Sequence, residues 1–283
     1  MAKNKDTRDY PVVRTLRVAP NTLPYSTVMV PVDQFLSKAN RRMYRHGRNY
    51  SIKIDIDATT TNSFEVWTLA DTWMNRRAFQ RAYDAYLENG KDERASLKGK
   101  NLARWEDFRT QDGVSALFMD PLMYNGTLAP ITLNAGEFDT SIVIDKAGAT
   151  RVFTWGQTTA TSYGVVDEYN KAGDAQASPD TTTGDMPYDD LMADNSADMA
   201  NALQVRGNLP PYDAANAGQA NAWVKHAVLS AGASQRLTTG FVDAPCGFVL
   251  IRMGSGDPVE TSPLSLTVKS GDYKGVHAPS MLE

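Results

Sequence analysis

Cysteine is nearly absent. Cys246 is the only one in 283 residues, which excludes an internal disulfide. It stands in the apolar run CGFVLI and reads as a small buried hydrophobe. Histidine is scarce too: His46, His226 and His277 are the whole supply. No HExxH, CxxC, GxSxG or Walker pattern accompanies them. A catalytic triad would need one of these histidines beside a nucleophile, and no spacing pairs them. No apolar run approaches the roughly 20 residues that a membrane helix needs, so no membrane partner is expected. The first residues, MAKNKDTRDY, carry charges and no apolar core, so no signal peptide is expected there. No enzyme activity follows from this inventory.

What is present is a core-forming composition, with 42% hydrophobic residues, enough for one domain spanning 1–283. Short alternating or β-branched runs dominate: 10–18, 26–30, 50–56, 63–70, 129–133, 138–145, 149–155, 161–169, 235–242, 246–253 and 263–269 all read as strands. The stretch 222–231 reads as a further one. Gly, Asn, Asp and Pro punctuate them. Many short strands without βαβ alternation point to an all-β sandwich or barrel.

Two stretches break the pattern. VDQFLSKANRRMYR (32–45) reads as a short helix with Phe35, Leu36, Ala39 and Met43 on one face. Within 71–108, Phe79, Ala82, Tyr83, Tyr86 and Leu87 follow helical spacing, with Asp71 or Thr72 as the cap and Asn89–Gly90 as the stop. A second short helix is expected over 91–97. Residues 170–220 form a long polar connection, a length that loops reach when they are functional. After Val268 the pattern stops, yet the tail 270–283 keeps Tyr273, Val276, His277, Met281 and Leu282. Such a tail is expected to dock against protein, its own sandwich or a neighbouring subunit.

Charge is unevenly spread around a net −4. Residues 1–50 hold ten basic residues against three acidic ones; residues 151–200 hold nine acidic against two basic. The basic set is Lys3, Lys5, Arg8, Arg14, Arg17, Lys38, Arg41, Arg42, Arg45 and Arg48. In RRMYRHGR (41–48), Tyr44 and His46 interleave with arginines. Arginine forks grip phosphate and aromatic rings stack on unpaired bases, so this set is the candidate contact with single-stranded nucleic acid. The plainer reading is a solvated surface with arginines bridging subunits. Asp55 and Asp57 on one strand, with Glu65 nearby, offer carboxylates for acid–base work, or else a solvated strand face. The acidic stretch 185–198 offers oxygen ligands for an interface calcium, without the spacing of an EF-hand. No other cofactor is expected.

Three blocks carry a resemblance. FEVWTLADTW (64–73) runs into the RRAFQRAYDAYLENGKDER helix and then ARWEDFR (103–109). RLTTGFVDAPCGFVLI (236–251) and SGDYKGVHAPSM (270–281) follow in order. Together they resemble the coat proteins of small circular single-stranded DNA viruses that encode a replication initiator. The resemblance implies a single jelly-roll subunit with a helical insertion at about 71–108. It implies self-assembly into an icosahedral shell around the viral ssDNA genome, in a virion assembled inside the host cell; it leaves the host surface receptor unidentified. Aromatics and arginine anchor interfaces, so the candidate interface residues are Trp73, Arg76, Arg77, Tyr86 and Trp105 in the insertion, and Tyr273, His277 and Met281 in the tail; the alternative is burial of these aromatics against their own sandwich. Many such coat proteins begin with a long arginine-rich arm. Here the first ten residues hold only Lys3, Lys5 and Arg8 among Asp6 and Asp9, so genome contact falls to the folded surface around 3–17 and 38–48. The acidic stretch 170–220 is then expected on the outer surface. The alternatives are a lectin-like module using 170–220 as ligand loops, and a hydrolase using Asp55, Asp57 or Glu65.

Overall fold

The computed structural model describes residues 11–19, 27–57, 63–97, 105–114, 117–118, 120–121, 123, 138–174, 222–231, 236–253 and 264–282. Its strands are β1 (Thr15–Ala19), β2 (Thr27–Pro31), β3 (Asn49–Ile56), β4 (Phe64–Leu69), β5 (Leu117–Phe118), β6 (Asp120–Pro121), β7 (Ile142–Ile144), β8 (Thr150–Thr154), β9 (Ser162–Gly164), β10 (Trp223–Leu229), β11 (Thr238–Pro245), β12 (Phe248–Met253) and β13 (Leu264–Val268). The helices are α1 (Val32–Asn40), α2 (Trp73–Asn89), α3 (Lys91–Leu97) and α4 (Val165–Asp174). The expected strand at 129–133 lies outside the described residues.

Alternation builds the sandwich. Ile52, Ile54 and Ile56 of β3 point inward, as do Leu264, Leu266 and Val268 of β13. They meet Val28, Val30, Phe64, Val66, Val249 and Ile251 of the facing sheet in one core. The first sheet has the order β11-β3-β13-β1-β6 and the second β10-β4-β12-β2-β5. The long strands pair antiparallel, first with last: β1 with β13, β2 with β12, β3 with β11, β4 with β10. The fold is an all-β sandwich.

A third layer covers the outer face of the second sheet. Met29, Phe248 and Leu250 point away from the sandwich core and pack with Ala78, Phe79 and Ala82 of α2, and with Phe153, Trp155 and Val165. The central strands β2 and β12 are therefore buried on both faces. That explains why VMV and FVLI are unbroken apolar runs rather than alternating ones. The Thr72 hydroxyl caps α2 by accepting from the Asn75 amide at 3.2 Å, as the cap pattern requires, and Gly90 ends it.

Two expected elements differ. The helix expected over 32–45 stops at Asn40, and Arg41 takes a left-handed conformation with φ 48°. The Ser37 hydroxyl donates to the Asp33 carbonyl and accepts from the Tyr44 amide at 2.8 Å. That bond folds the chain back and puts Tyr44 in the core, fully buried. The strand expected over 161–169 keeps only Ser162–Gly164, and α4 takes the rest. Val165 and Val166 are buried in the third layer, while Asp167 and Glu168 occupy the first helical turn, where carboxylates suit the helix dipole.

The tail docks on its own sandwich. Residues 277–281 run beside 47–51: Pro279 and His277 carbonyls accept from Asn49 and Ser51, and Gly47 accepts from Met281. Met281 is buried against Cys246, with its sulfur 3.6 Å from the thiol sulfur. Cys246 is fully buried, as its apolar setting predicts.

Candidate nucleic-acid interface

The tail turn and the 41–48 loop form one surface. Tyr273, Lys274 and Gly275 sit against the arginine loop, and the bonds between them are many. The Tyr44 hydroxyl donates to the Lys274 carbonyl at 3.0 Å, and the Arg45 amide donates to the Tyr273 hydroxyl at 3.1 Å. The Arg48 guanidinium lies over the Tyr273 ring, 3.9 Å from its centroid, and also donates to the Ala278 carbonyl. Lys274 Nζ donates to the Met43 carbonyl. Arg14 arrives from the start of the chain and reaches the Gly275 carbonyl at 3.4 Å.

Positive charge therefore gathers from three separate segments. Lys274 feels Arg45, Arg42 and Arg48 at once; partial burial first, then these three cations, hold its ammonium below the usual lysine range. Arg41, Arg42 and Arg45 are exposed and Arg48 is half-buried. A cleft of about 490 Å³ opens beside them, with Arg45, Arg48 and Arg94 in its wall. Glu106 and Asp107 share that wall, and Arg45 approaches Asp107 at 3.4 Å. Sequence reasoning missed Lys274, because its partners lie some 230 positions away.

The other candidates fall elsewhere. Arg17 is on the first sheet, paired with Asp57 at 2.9 Å. Lys38 is in the last turn of α1. Lys3, Lys5 and Arg8 lie outside the described residues, as does the acidic stretch 185–198. The interleaved aromatics do not stack on bases: Tyr44 and His46 are 0% and 2% exposed and belong to the interior. Among the described residues, no group of three or more His, Cys, Asp or Glu side chains is placed to hold a metal.

Comparisons with family models, curated proteins and solved structures return no match.

The interface candidates divide by exposure. Trp73 and Trp105 are 71% and 64% exposed, the two most open large apolar side chains described. Arg77 is exposed, and Arg76 makes a two-pronged pair with Asp71 at 2.7 and 2.9 Å. Tyr86 is half-buried; its hydroxyl donates to Glu106 and the Arg94 guanidinium covers its ring. His277 is exposed, Tyr273 half-buried, and Met281 is enclosed by its own subunit.

The carboxylates weighed for catalysis do not converge. Asp55 pairs with Lys53 and Asp57 with Arg17 on the first sheet. Glu65 pairs with Lys225 on the second. A different polar cluster, unseen in the sequence, lies between α1, the 41–48 loop and residues 107–110. Arg109 pairs with Asp33 at 2.9 Å, both buried. His46 Nε2 is 2.9 Å from the Thr110 hydroxyl, which accepts from the Trp155 indole, and His46 Nδ1 is 3.6 Å from Asp33. Burial alone would raise the Asp33 pKa, but Arg109 and His46 outweigh it and hold the carboxyl below its usual range. Thr110, His46 and Asp33 stand in the order of a hydrolytic triad, yet each is at most 3% exposed. A nucleophile so enclosed meets no substrate. The cluster pins the third layer to the sandwich.

Proposed function

We propose that this protein is a viral coat protein: a jelly-roll subunit that self-assembles into an icosahedral shell enclosing circular single-stranded DNA. The observation that carries the reading is the strand order. Pairing first with last, second with second-last and so on, across two sheets, is what rolling one long eight-stranded hairpin produces, and a jelly roll is that arrangement. The sequence blocks resembling coat proteins of single-stranded DNA viruses supply the rest. Two exposed tryptophans fit a subunit that buries them against neighbours, since tryptophan anchors interfaces more often than its abundance predicts. The cationic end, gathered from residues 14, 41–48 and 274, fits a surface turned toward a polyanion.

The test is electron microscopy of the recombinant protein, with nuclease treatment of what co-purifies. Uniform closed shells holding nuclease-protected nucleic acid support the reading. Dispersed subunits that bind glycans and never close into shells overturn it in favour of a lectin-like module.

A further inference from the structure

We propose that the third layer holds a binding site for a medium-chain fatty acid, with the alkyl chain between α2, α4 and the β7–β9 sheet and the carboxylate on Arg81. The site lies apart from the cationic surface, and it does not rest on the coat-protein reading. A cavity of about 360 Å³ opens between these three elements, within the size range of small-molecule sites. Its floor is apolar: Ala78, Ala82, Val143, Phe153 and Val165 line it, and each is at most 8% exposed. Laying an alkyl chain on such a floor removes apolar surface from water, which favours binding.

The rim is of a different kind. Arg81, Ala85, Asn89 and Ile144 stand exposed around the mouth. Ile144 is 59% exposed, an apolar side chain that the ligand would cover. Asn89 ties α2 to β7: its side-chain amide donates to the Ile144 carbonyl at 3.0 Å and accepts from the Ile144 amide at 3.3 Å. That double bond keeps the mouth in one shape without calling on a ligand. On α4, the Glu168 carboxylate accepts from the Thr158 hydroxyl at 2.8 Å. Its negative charge disfavours an anionic head on that side and directs the head to the α2 side. There Arg81 makes no hydrogen bond or ion pair among the described residues. A guanidinium standing over an apolar floor is complementary to a carboxylate on an alkyl chain. Walls from three elements admit a slender chain rather than a flat protein surface.

The experiment is isothermal titration calorimetry of the full chain with sodium octanoate, and with octanol as the uncharged counterpart. A single octanoate binds per chain, with the negative heat-capacity change of apolar burial. Arg81→Gln weakens octanoate by about tenfold, the loss of one charge-assisted hydrogen bond, and leaves octanol unchanged; Arg81→Lys keeps most of the affinity. Ala85→Leu narrows the mouth and abolishes binding of both. Leucine is a good helix former and position 85 is exposed, so the urea midpoint of that variant stays at the parent value. No octanoate binding overturns the inference. So does binding of several octanoates per chain that Ala85→Leu leaves unchanged, or octanol bound as tightly as octanoate by the parent. Shells that form while octanoate fails to bind refute this site alone; octanoate bound as predicted, with no shell under any condition, refutes the coat reading alone.

Discussion

Replacing Arg109 with methionine removes the guanidinium that faces Asp33 and leaves a carboxylate stranded in the interior. Asp33 is 0% exposed, and its Oδ1 has no hydrogen-bond partner among the described residues. Breaking a buried pair in this way costs about 3–5 kcal/mol, because the orphaned charge keeps its desolvation penalty. With a urea m-value of about 3 kcal/mol/M, the unfolding midpoint of the unassembled subunit drops by roughly 1–1.7 M. The pH dependence identifies the cause. In the parent protein the folded Asp33 pKa lies below its unfolded value. The pair's contribution is therefore present above the ordinary carboxylate range and lost as pH falls through the folded pKa. Without Arg109, burial pushes the Asp33 pKa up instead, so the variant loses stability as pH rises. The gap between parent and variant is widest near neutrality and narrows on acidification. Adding Asp33→Asn removes the stranded charge and recovers part of the loss, which a double-mutant cycle reads directly. A cost below about 1 kcal/mol, or a gap that does not narrow as pH falls, would refute the reasoning.

Met281→Ala empties the site against Cys246 and weakens tail docking by about 2–5 kcal/mol; hydrogen exchange should then quicken at the Asn49 and Ser51 amides, which the tail carbonyls hold. Trp73→Ala and Trp105→Ala remove exposed rings, so subunit stability changes by less than about 0.5 kcal/mol while light scattering shows assembly slowed or lost; a matching loss of subunit stability would assign them to the fold instead. His226, 2.7 Å from the Thr68 hydroxyl, has its pKa lowered by burial, against an opposing pull from Asp243. Its contribution is present above the unfolded histidine value and lost as pH falls through the lowered folded one. His226→Gln should flatten that part of the urea-midpoint profile below neutrality.

Much of the sandwich was legible because alternation is a local signal. Ile52, Ile54 and Ile56 announce a half-buried strand, and Ala82 and Tyr83, three and four residues beyond Phe79, announce a helix face. The end of α1 was not legible, since Arg41, Arg42 and Met43 all tolerate a helix and only the burial of Tyr44 turns the chain back. Nor was α4, because Tyr163, Val165 and Val166 are residue types that favour strands; the signal overlooked was Asp167 and Glu168 following two valines, a helix start. The candidate site was half legible. The arginines of 41–48 are visible as a cluster, but Lys274 and Arg14 join them only through the fold. The Asp33–Arg109 pair spans 76 positions, and no periodicity links its members.

Sedimentation velocity of the purified full-length protein, near neutral pH and at moderate salt, tests the central claim most directly. The account predicts a sharp boundary in the megadalton range, the signature of a closed shell. A boundary at one to a few subunits that persists after adding circular single-stranded DNA would contradict it.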